Sequence, residues 1–154
     1  PEGIATIAGA LEQARPGDEI VVSPGDYREH VTLQTGVTIT GVPGAVLLGS
    51  GNPNEPVVTA SNINGASLRG FAIHPDAGKW FDRAIQIDNS QVYLENLDIN
   101  GATVAAVEFN GASDSVLRSS FLHANSGTAL VIDGLSAPLV EHNQFSGNKR
   151  AVDW

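Results

Sequence analysis

Ten residues between Ile73 and Ala84 bring ring, cation and carboxylate together in one concentrated insertion: His74-Pro75-Asp76-Ala77-Gly78-Lys79-Trp80-Phe81-Asp82-Arg83. An exposed Trp80 would offer a flat apolar face to a sugar ring, with Asp76, Asp82 and Arg83 supplying directional hydrogen bonds around it. His74 and Lys79 complete this candidate ligand-binding set. The alternative is that Trp80 or Phe81 folds back as a lid on the apolar interior. Nothing resembling a G-x-S-x-G nucleophile turn or a phosphate-binding glycine loop occurs anywhere in the sequence.

The elements that hold this segment are written as a repeat. Ala84-Ile85-Gln86-Ile87, Ala106-Val107-Glu108-Phe109, Ala129-Leu130-Val131-Ile132 and Ala151-Val152-Asp153-Trp154 follow one another with a nearly constant period. That period, about 22 residues, is the length of one solenoid unit. A second series runs in phase, Leu68…Ile73, Leu94…Ile99, Val116…Phe121 and Val140…Phe145, with the same spacing inside each pair. Alternation sends Ile85 and Ile87 to one side and Gln86 to the other, with Val107/Phe109 and Leu130/Ile132 in the corresponding inward positions, while the outward Gln86, Glu108, Val131 and Asp153 vary in chemistry. The pattern predicts an inward ladder of large side chains, one rung about 4.8 Å above the next. Asn and Gly pairs between the blocks supply the left-handed backbone that sharp corners need. Paired-helix repeats require longer periods and a 3.6-residue rhythm that is absent. Leucine-rich repeats fit the period, and Leu94–Ile99 looks like one, but Val116–Phe121 breaks their pattern, and a second β block leaves no room for a convex segment. The fold class expected is all-β: a parallel β-helix (solenoid) of about six rungs.

Positions 1–60 are less regular. Ile4, Ile7, Leu11 and Ala14 form one apolar stripe, which predicts a short capping helix over 4–15 with Thr6 as its N-cap. Strands are expected at 20–22, 31–33, 37–40, 46–48 and 57–59. The domain reading is a single β-helix over 1–154, with irregular first rungs at 18–60. Regular rungs of about 22–26 residues are expected over 66–154. The chain opens Pro1-Glu2-Gly3 without a methionine and stops inside a strand at Trp154. It reads as a fragment of a longer protein, with an uncapped last rung suited to continuation or to end-to-end association with another copy.

Composition narrows the partners. A net charge of −9 with 8 Lys and Arg argues against nucleic acid. No apolar run is long enough to span a bilayer, so no direct membrane insertion is expected of this segment. Cysteine is absent, which removes disulfide and thiolate–metal chemistry. Two outlying carboxylates of the outward series Asp88, Asn110, Asp133, beside Gln86 and Glu108, would lie about 10 Å apart, too far to share one calcium ion without other ligands. The separation of His123 from His142 is off the repeat period, so they read as solvated surface groups. Arg69, Arg83 and Arg118 read as isolated by rung. No metal site and no cofactor are expected.

The stretch Ala10-Leu11-Glu12-Gln13-Ala14-Arg15-Pro16-Gly17-Asp18-Glu19-Ile20-Val21-Val22-Ser23-Pro24-Gly25-Asp26-Tyr27, followed by Gly36-Val37-Thr38-Ile39-Thr40-Gly41, resembles the opening segment of the pectate-lyase-like right-handed parallel β-helix superfamily. With the repeats, the resemblance covers nearly the whole chain. It implies a right-handed coil and, in sugar-active members, a site along one long face walled by loops. That superfamily spans lyases, hydrolases, esterases, epimerases, adhesins and non-catalytic modules. The N-T-D, D-D, G-H-G and R-I-K blocks of polygalacturonase-like enzymes are absent, and His74-Pro75-Asp76 carries the letters of an epimerase motif in the wrong order. The reading that follows is a non-catalytic, extracytoplasmic module that binds a neutral polysaccharide or a protein partner, as the sensor or binding part of a larger bacterial protein such as a membrane-anchored kinase. A polysaccharide-active enzyme and a structural scaffold are the alternatives.

Overall fold

The structure is a computed structural model and describes residues 6–49 and 51–154. Helix α1 (Ile7–Gln13) precedes six coils of three strands each. The first coil holds β1 (Glu19–Val22), β2 (Gly25–Tyr27) and β3 (Val31–Thr32), and the second β4 (Thr38–Gly41), β5 (Ala45–Leu47) and β6 (Val58–Ser61). The third holds β7 (Asn64–Arg69), β8 (Ala72–Ile73) and β9 (Phe81–Asp88), and the fourth β10 (Gln91–Glu95), β11 (Asp98–Ile99) and β12 (Ala102–Asn110). The fifth holds β13 (Val116–Arg118), β14 (Phe121–His123) and β15 (Thr128–Ile132), and the sixth β16 (Leu139–Glu141), β17 (Gln144–Ser146) and β18 (Arg150–Asp153). Corresponding strands stack into three parallel six-stranded sheets, β1-β4-β7-β10-β13-β16, β2-β5-β8-β11-β14-β17 and β3-β6-β9-β12-β15-β18. This is the parallel β-helix expected from the repeat.

Each coil therefore has three strands rather than two. The paired anchors of the second series straddle a corner, with Leu68 on the first sheet and Ile73 on the second. A single left-handed residue makes that corner: Gly70, Asn96, Ser119 and His142 all have positive φ. So short a turn leaves no break in the apolar pattern, which is why two strands read as one. At Gly70 (φ +82°) a Cβ would stand 2.5 Å from the carbonyl oxygen of Gly41 in the coil before it, so both the backbone and the stacking exclude a side chain.

The inward ladders run Ile39, Leu68, Leu94, Leu117, Val140 on the first sheet and Leu47, Ile73, Ile99, Leu122, Phe145 on the second. On the third, Ile85, Val107 and Leu130 align, as do Ile87, Phe109 and Ile132. The fifth coil corrects the sequence reading by one position. Leu117 and Leu122 are fully buried, whereas Val116 is half-exposed and Phe121 faces outward, stacked on the His123 ring at 4.0 Å. Val116-Leu117 and Phe121-Leu122 are both apolar doublets, so local pattern alone could not choose between them.

Corner polar groups are satisfied from inside. Ser113 Oγ accepts from the Ser90 amide and donates to the Asn110 carbonyl, and Ser136 Oγ repeats the first contact one coil on. Asn125, buried, accepts from the Ala102 amide through Oδ1 and donates through Nδ2 to Oδ1 of Asn148. Among the described residues, no buried side-chain nitrogen or oxygen lacks a partner. Such pairing spares the cost of roughly 1–3 kcal/mol that each orphaned group would carry.

Helix α1 closes one end. The Thr6 hydroxyl caps it by accepting from Gly9 N, as expected, and Ile7 and Leu11 are buried against the first coil. Its span is shorter than expected, and Ile4 lies outside the described residues. The Glu29 carboxylate, from the first coil, accepts the amides of Ile7 and Ala8 at 2.9 and 3.0 Å. One charged side chain thus fixes the cap to the coil and meets the unpaired amides of the first turn.

The corrected register has a direct consequence. Leu117→Ala is expected to cost about 2–5 kcal/mol of unfolding free energy, by lost burial and a cavity, and Val116→Ala less than about 1 kcal/mol. Denaturant unfolding of the two variants measures the difference, and a larger loss at Val116 would return the ladder to the other register.

Candidate functional site

The candidate segment lies at the corner between the second and third sheets. At this corner the fourth coil needs only Asn100 and Gly101, but between its second and third strands the second coil inserts a segment with described residues 48–49 and 51–57, and the third coil inserts 74–80. Described residues of both insertions line one cleft, the Asp82 amide donates to the Pro53 carbonyl at 2.8 Å, and Arg28 and His30 of the first coil reach Asp76 and the Pro56 carbonyl. The first insertion was not apparent in the sequence, because the early coils lack the Ala-x-x-x block that marks where a strand resumes.

Phe81 and Trp80 divide the two fates foreseen for the pair. Phe81 begins β9 and is buried in the core, whereas Trp80 remains 52% exposed. Alternation explains the split, since adjacent residues entering a strand point to opposite sides. Trp80 and Lys79 line a cleft of about 80 Å³ together with Arg28, His30, Gly51 and Asn52. That volume holds two or three waters, taking roughly 30 Å³ for each. A sugar would therefore lie across the Trp80 face and the rim of the cleft rather than inside it.

Arg28 and Asp76 strap the corner together. Nε donates to Oδ2 at 2.7 Å and an Nη to Oδ1 at 3.3 Å, joining the first coil to the third. Asp76 also accepts from the Ala77 amide. The Arg28 hydrogen bonds, seconded by that amide, hold the Asp76 carboxyl below the usual carboxylate range, and Asp76 in turn raises Arg28. His30 Nδ1 lies 2.8 Å from the Pro56 carbonyl, which offers only an acceptor, so Nδ1 carries a proton. Nε2 of the same ring faces Glu55 at 3.7 Å. Sequence reading missed Arg28, His30 and Asn52, whose proximity depends on stacking and leaves no local trace.

The rest of the segment points elsewhere. The His74 ring sits 3.1 Å from its own neighbour's carbonyl, on Pro75, and does not line the cleft. Asp82 accepts from the Thr103 hydroxyl at 3.0 Å. Arg83 turns onto the outer face of the third sheet, where its Nε donates to Glu108 Oε1 at 2.9 Å. Asn110 Nδ2 bridges Glu108 Oε2 and Asp88 Oδ1, each at 2.9 Å, and Gln86 Nε2 donates to Asp88 Oδ2 at 3.0 Å. Stacking brings Asp88 and Glu108 to a common Asn110 partner. Asp133 stays exposed, its carboxylate accepting the Gly134 amide. His123 pairs with Asp98 at 2.6 Å, and His142 occupies an exposed left-handed corner. Among the described residues, no group of three or more His, Asp or Glu side chains converges as a metal site.

The lowered Asp76 carboxyl gives the corner a pH dependence. A depressed folded-state pKa contributes order above the ordinary carboxylate value of about 4, and that contribution disappears as pH falls through the lowered value. With Trp154→Phe removing the other indole, Trp80 emission is expected to hold steady from neutral pH to about 5 and to shift in acid below about 4. Asp76→Asn should abolish that transition and leave Trp80 in its acid-form environment throughout.

The family model described as a right-handed β-helix region matches residues 20–153. Among solved structures, a pectin methylesterase in complex with hexasaccharide VII superposes with a TM-score of 0.60 at 14% identity, over 97% of this chain and 63% of that one. A pectin methylesterase from Erwinia chrysanthemi superposes with a TM-score of 0.54 at 16% identity, over 87% of this chain and 56% of that one. At such identities the likeness is one of fold, and the chain spans less than two thirds of either relative's length. No curated protein matches the sequence significantly. With the family model matched from the first strand to the last of the three stacked parallel sheets, the chain belongs to the right-handed β-helix family.

Proposed function

We propose that this β-helix is a saccharide-binding module whose contact face is the corner between the second and third sheets, with Trp80 as the stacking platform. The observation that carries the reading is the coincidence of the two insertions, 48–57 and 74–80, at the same corner of consecutive coils, with the Trp80 ring left 52% exposed between them. An indole held on an ordered rim loses little entropy on binding, which favours a stacking role. Asn52, Lys79 and the Arg28–Asp76 pair surround it with donors and acceptors suited to hydroxyl groups. A net charge of −9 favours a neutral glycan over a polyanionic one. In this reading the module works outside the cytoplasm, where such polymers are met, as the binding part of a larger bacterial protein.

A second reading is supported by a specific arrangement. Arg83, Glu108, Asn110, Asp88 and Gln86 form one continuous hydrogen-bonded row on the outer face of the third sheet, with two carboxylates on adjacent coils. General acid–base work on a polysaccharide needs two such groups facing one bond. Here each carboxylate already accepts from an amide or guanidinium, so the row favours binding over proton transfer. The fold shared with pectin methylesterases keeps ester hydrolysis the natural activity to assay.

On an array of neutral and acidic glycans, Trp80→Ala is expected to lose at least tenfold in affinity for whichever neutral glycan the wild-type chain retains, with an unchanged thermal midpoint, because the ring is exposed. Equal binding by wild type and variant would remove the corner from consideration. Incubation with methyl-esterified pectin and a polysaccharide panel is expected to yield no methanol, reducing ends or unsaturated products. Product that disappears in Glu108→Gln would establish the enzymatic reading instead.

A further inference from the structure

The outer face of the first sheet carries a pattern that the corner site does not use. Arg69, Glu95, Arg118 and Glu141 lie in register on β7, β10, β13 and β16, one above the next. Arg69 and Arg118, which read as isolated in the sequence, therefore flank Glu95 in a single column. Two positions earlier on each strand, Ser67, Tyr93, Val116 and Leu139 form a neighbouring column. Tyr93 is 53% and Leu139 50% exposed. A shallow groove of about 290 Å³ runs between the columns over Arg69, Tyr93, Glu95, Val116 and Arg118. Within one copy the charges are weakly engaged. Arg118 Nε stands 3.5 Å from Glu141 Oε2, and among the described residues the Arg69 and Glu95 side chains make no hydrogen bond or ion pair.

The order plus, minus, plus, minus is self-complementary under a two-fold rotation. An axis in the plane of the face, parallel to the strands and midway between β10 and β13, reverses the coil order of a second copy while leaving each column opposite its own counterpart. Arg69 then meets Glu141 of the second copy, and Glu95 meets its Arg118, with both pairs repeated by symmetry. The same rotation sets Tyr93 against Val116 and Ser67 against Leu139. An isologous interface demands this kind of agreement between columns, and a random arrangement of charges does not supply it.

We infer that the first-sheet face is a docking surface for a second copy of this chain, forming an antiparallel side-by-side dimer through the Arg69–Glu141 and Glu95–Arg118 pairs. The contact covers four strands spaced about 4.8 Å apart and a short length of each, well below the roughly 800 Å² per partner of a standard interface, so the dimer is weak and salt-sensitive. It leaves the Trp80 corner, on another edge of the coil, exposed on both copies. The inference does not rest on the saccharide reading.

Sedimentation equilibrium of the chain from about 1 µM to about 1 mM at low salt is expected to show monomer and dimer only, with dissociation increased by salt. Arg118→Glu should weaken the dimer at least tenfold by placing like charges at both symmetry-related pairs. Combining it with Glu95→Arg should restore association, because each reversed charge again faces its opposite. Should a reversal unfold the chain, Tyr93→Ser, at an exposed position, should weaken the dimer without moving the thermal midpoint. A monomer throughout the range overturns the inference. So does a dimer indifferent to Arg118→Glu and Tyr93→Ser, or assemblies that grow beyond two copies by end-to-end addition.

Discussion

Parallel strands in this fold bond only to the coils above and below, so each coil must turn three corners without losing register with its neighbours. The side-chain ladders inside those corners meet that requirement. Ser90, Ser113 and Ser136 at one corner, and Asn125 and Asn148 at another, take amides of the preceding coil that no strand can reach. Since a one-residue slip would move an entire ladder from the core to the surface, these polar contacts also fix which residues face inward. The apolar columns supply the bulk of the burial, and the corner ladders decide its phase.

That division explains where chemistry can reside. A coil whose corners are all short has no freedom to shape a cleft, and its outward residues are set one rung apart. Insertions are tolerated where they leave from one strand end and return to the next, because the strands on either side keep their pairing. Residues 48–57 and 74–80 do so on consecutive coils, and β6 and β9 still pair in register from Val58 and Ile85 onward. Arg28 reaches beyond the intervening coil to hold Asp76, so the inserted loops are tied to the stack by an ion pair as well as by covalent return.

The scaffold was legible because its signal is periodic. Ile85, Val107 and Leu130 recur at intervals that the stacking imposes, and the burial they imply is what the structure contains. Legibility failed where two residues competed for one role or where a turn left no mark. Val116 and Leu117 are both apolar, and only pairing with Leu94 selects the second. Asn96 and Ser119 make a corner in a single left-handed residue, too brief to interrupt an apolar run. For the candidate site, the segment 74–83 was visible as a local concentration of unusual residues, but its partners were not. Arg28, His30 and Asn52 become neighbours of Trp80 only after the coils are stacked, and their sequence separations differ because the inserted lengths differ.

Outward positions follow a different logic from inward ones, and the contrast bears on how a solenoid acquires partners. Inward residues are constrained by volume, and the ladders are built from Ile, Leu and Val with Phe109 and Phe145 among them. Outward residues are free of that constraint, so a column that does show order needs a cause of its own. On the third sheet the order is local: Arg83, Glu108, Asn110, Asp88 and Gln86 satisfy one another within two coils, and the pattern ends at Val131. On the first sheet it extends through four coils with alternating sign, while among the described residues Arg69 and Glu95 make no hydrogen bond or ion pair. A network that closes on itself stabilises the coil that carries it. A column that alternates without closing keeps its hydrogen-bonding capacity for something outside the coil, and a copy turned end for end presents the matching sequence of charges.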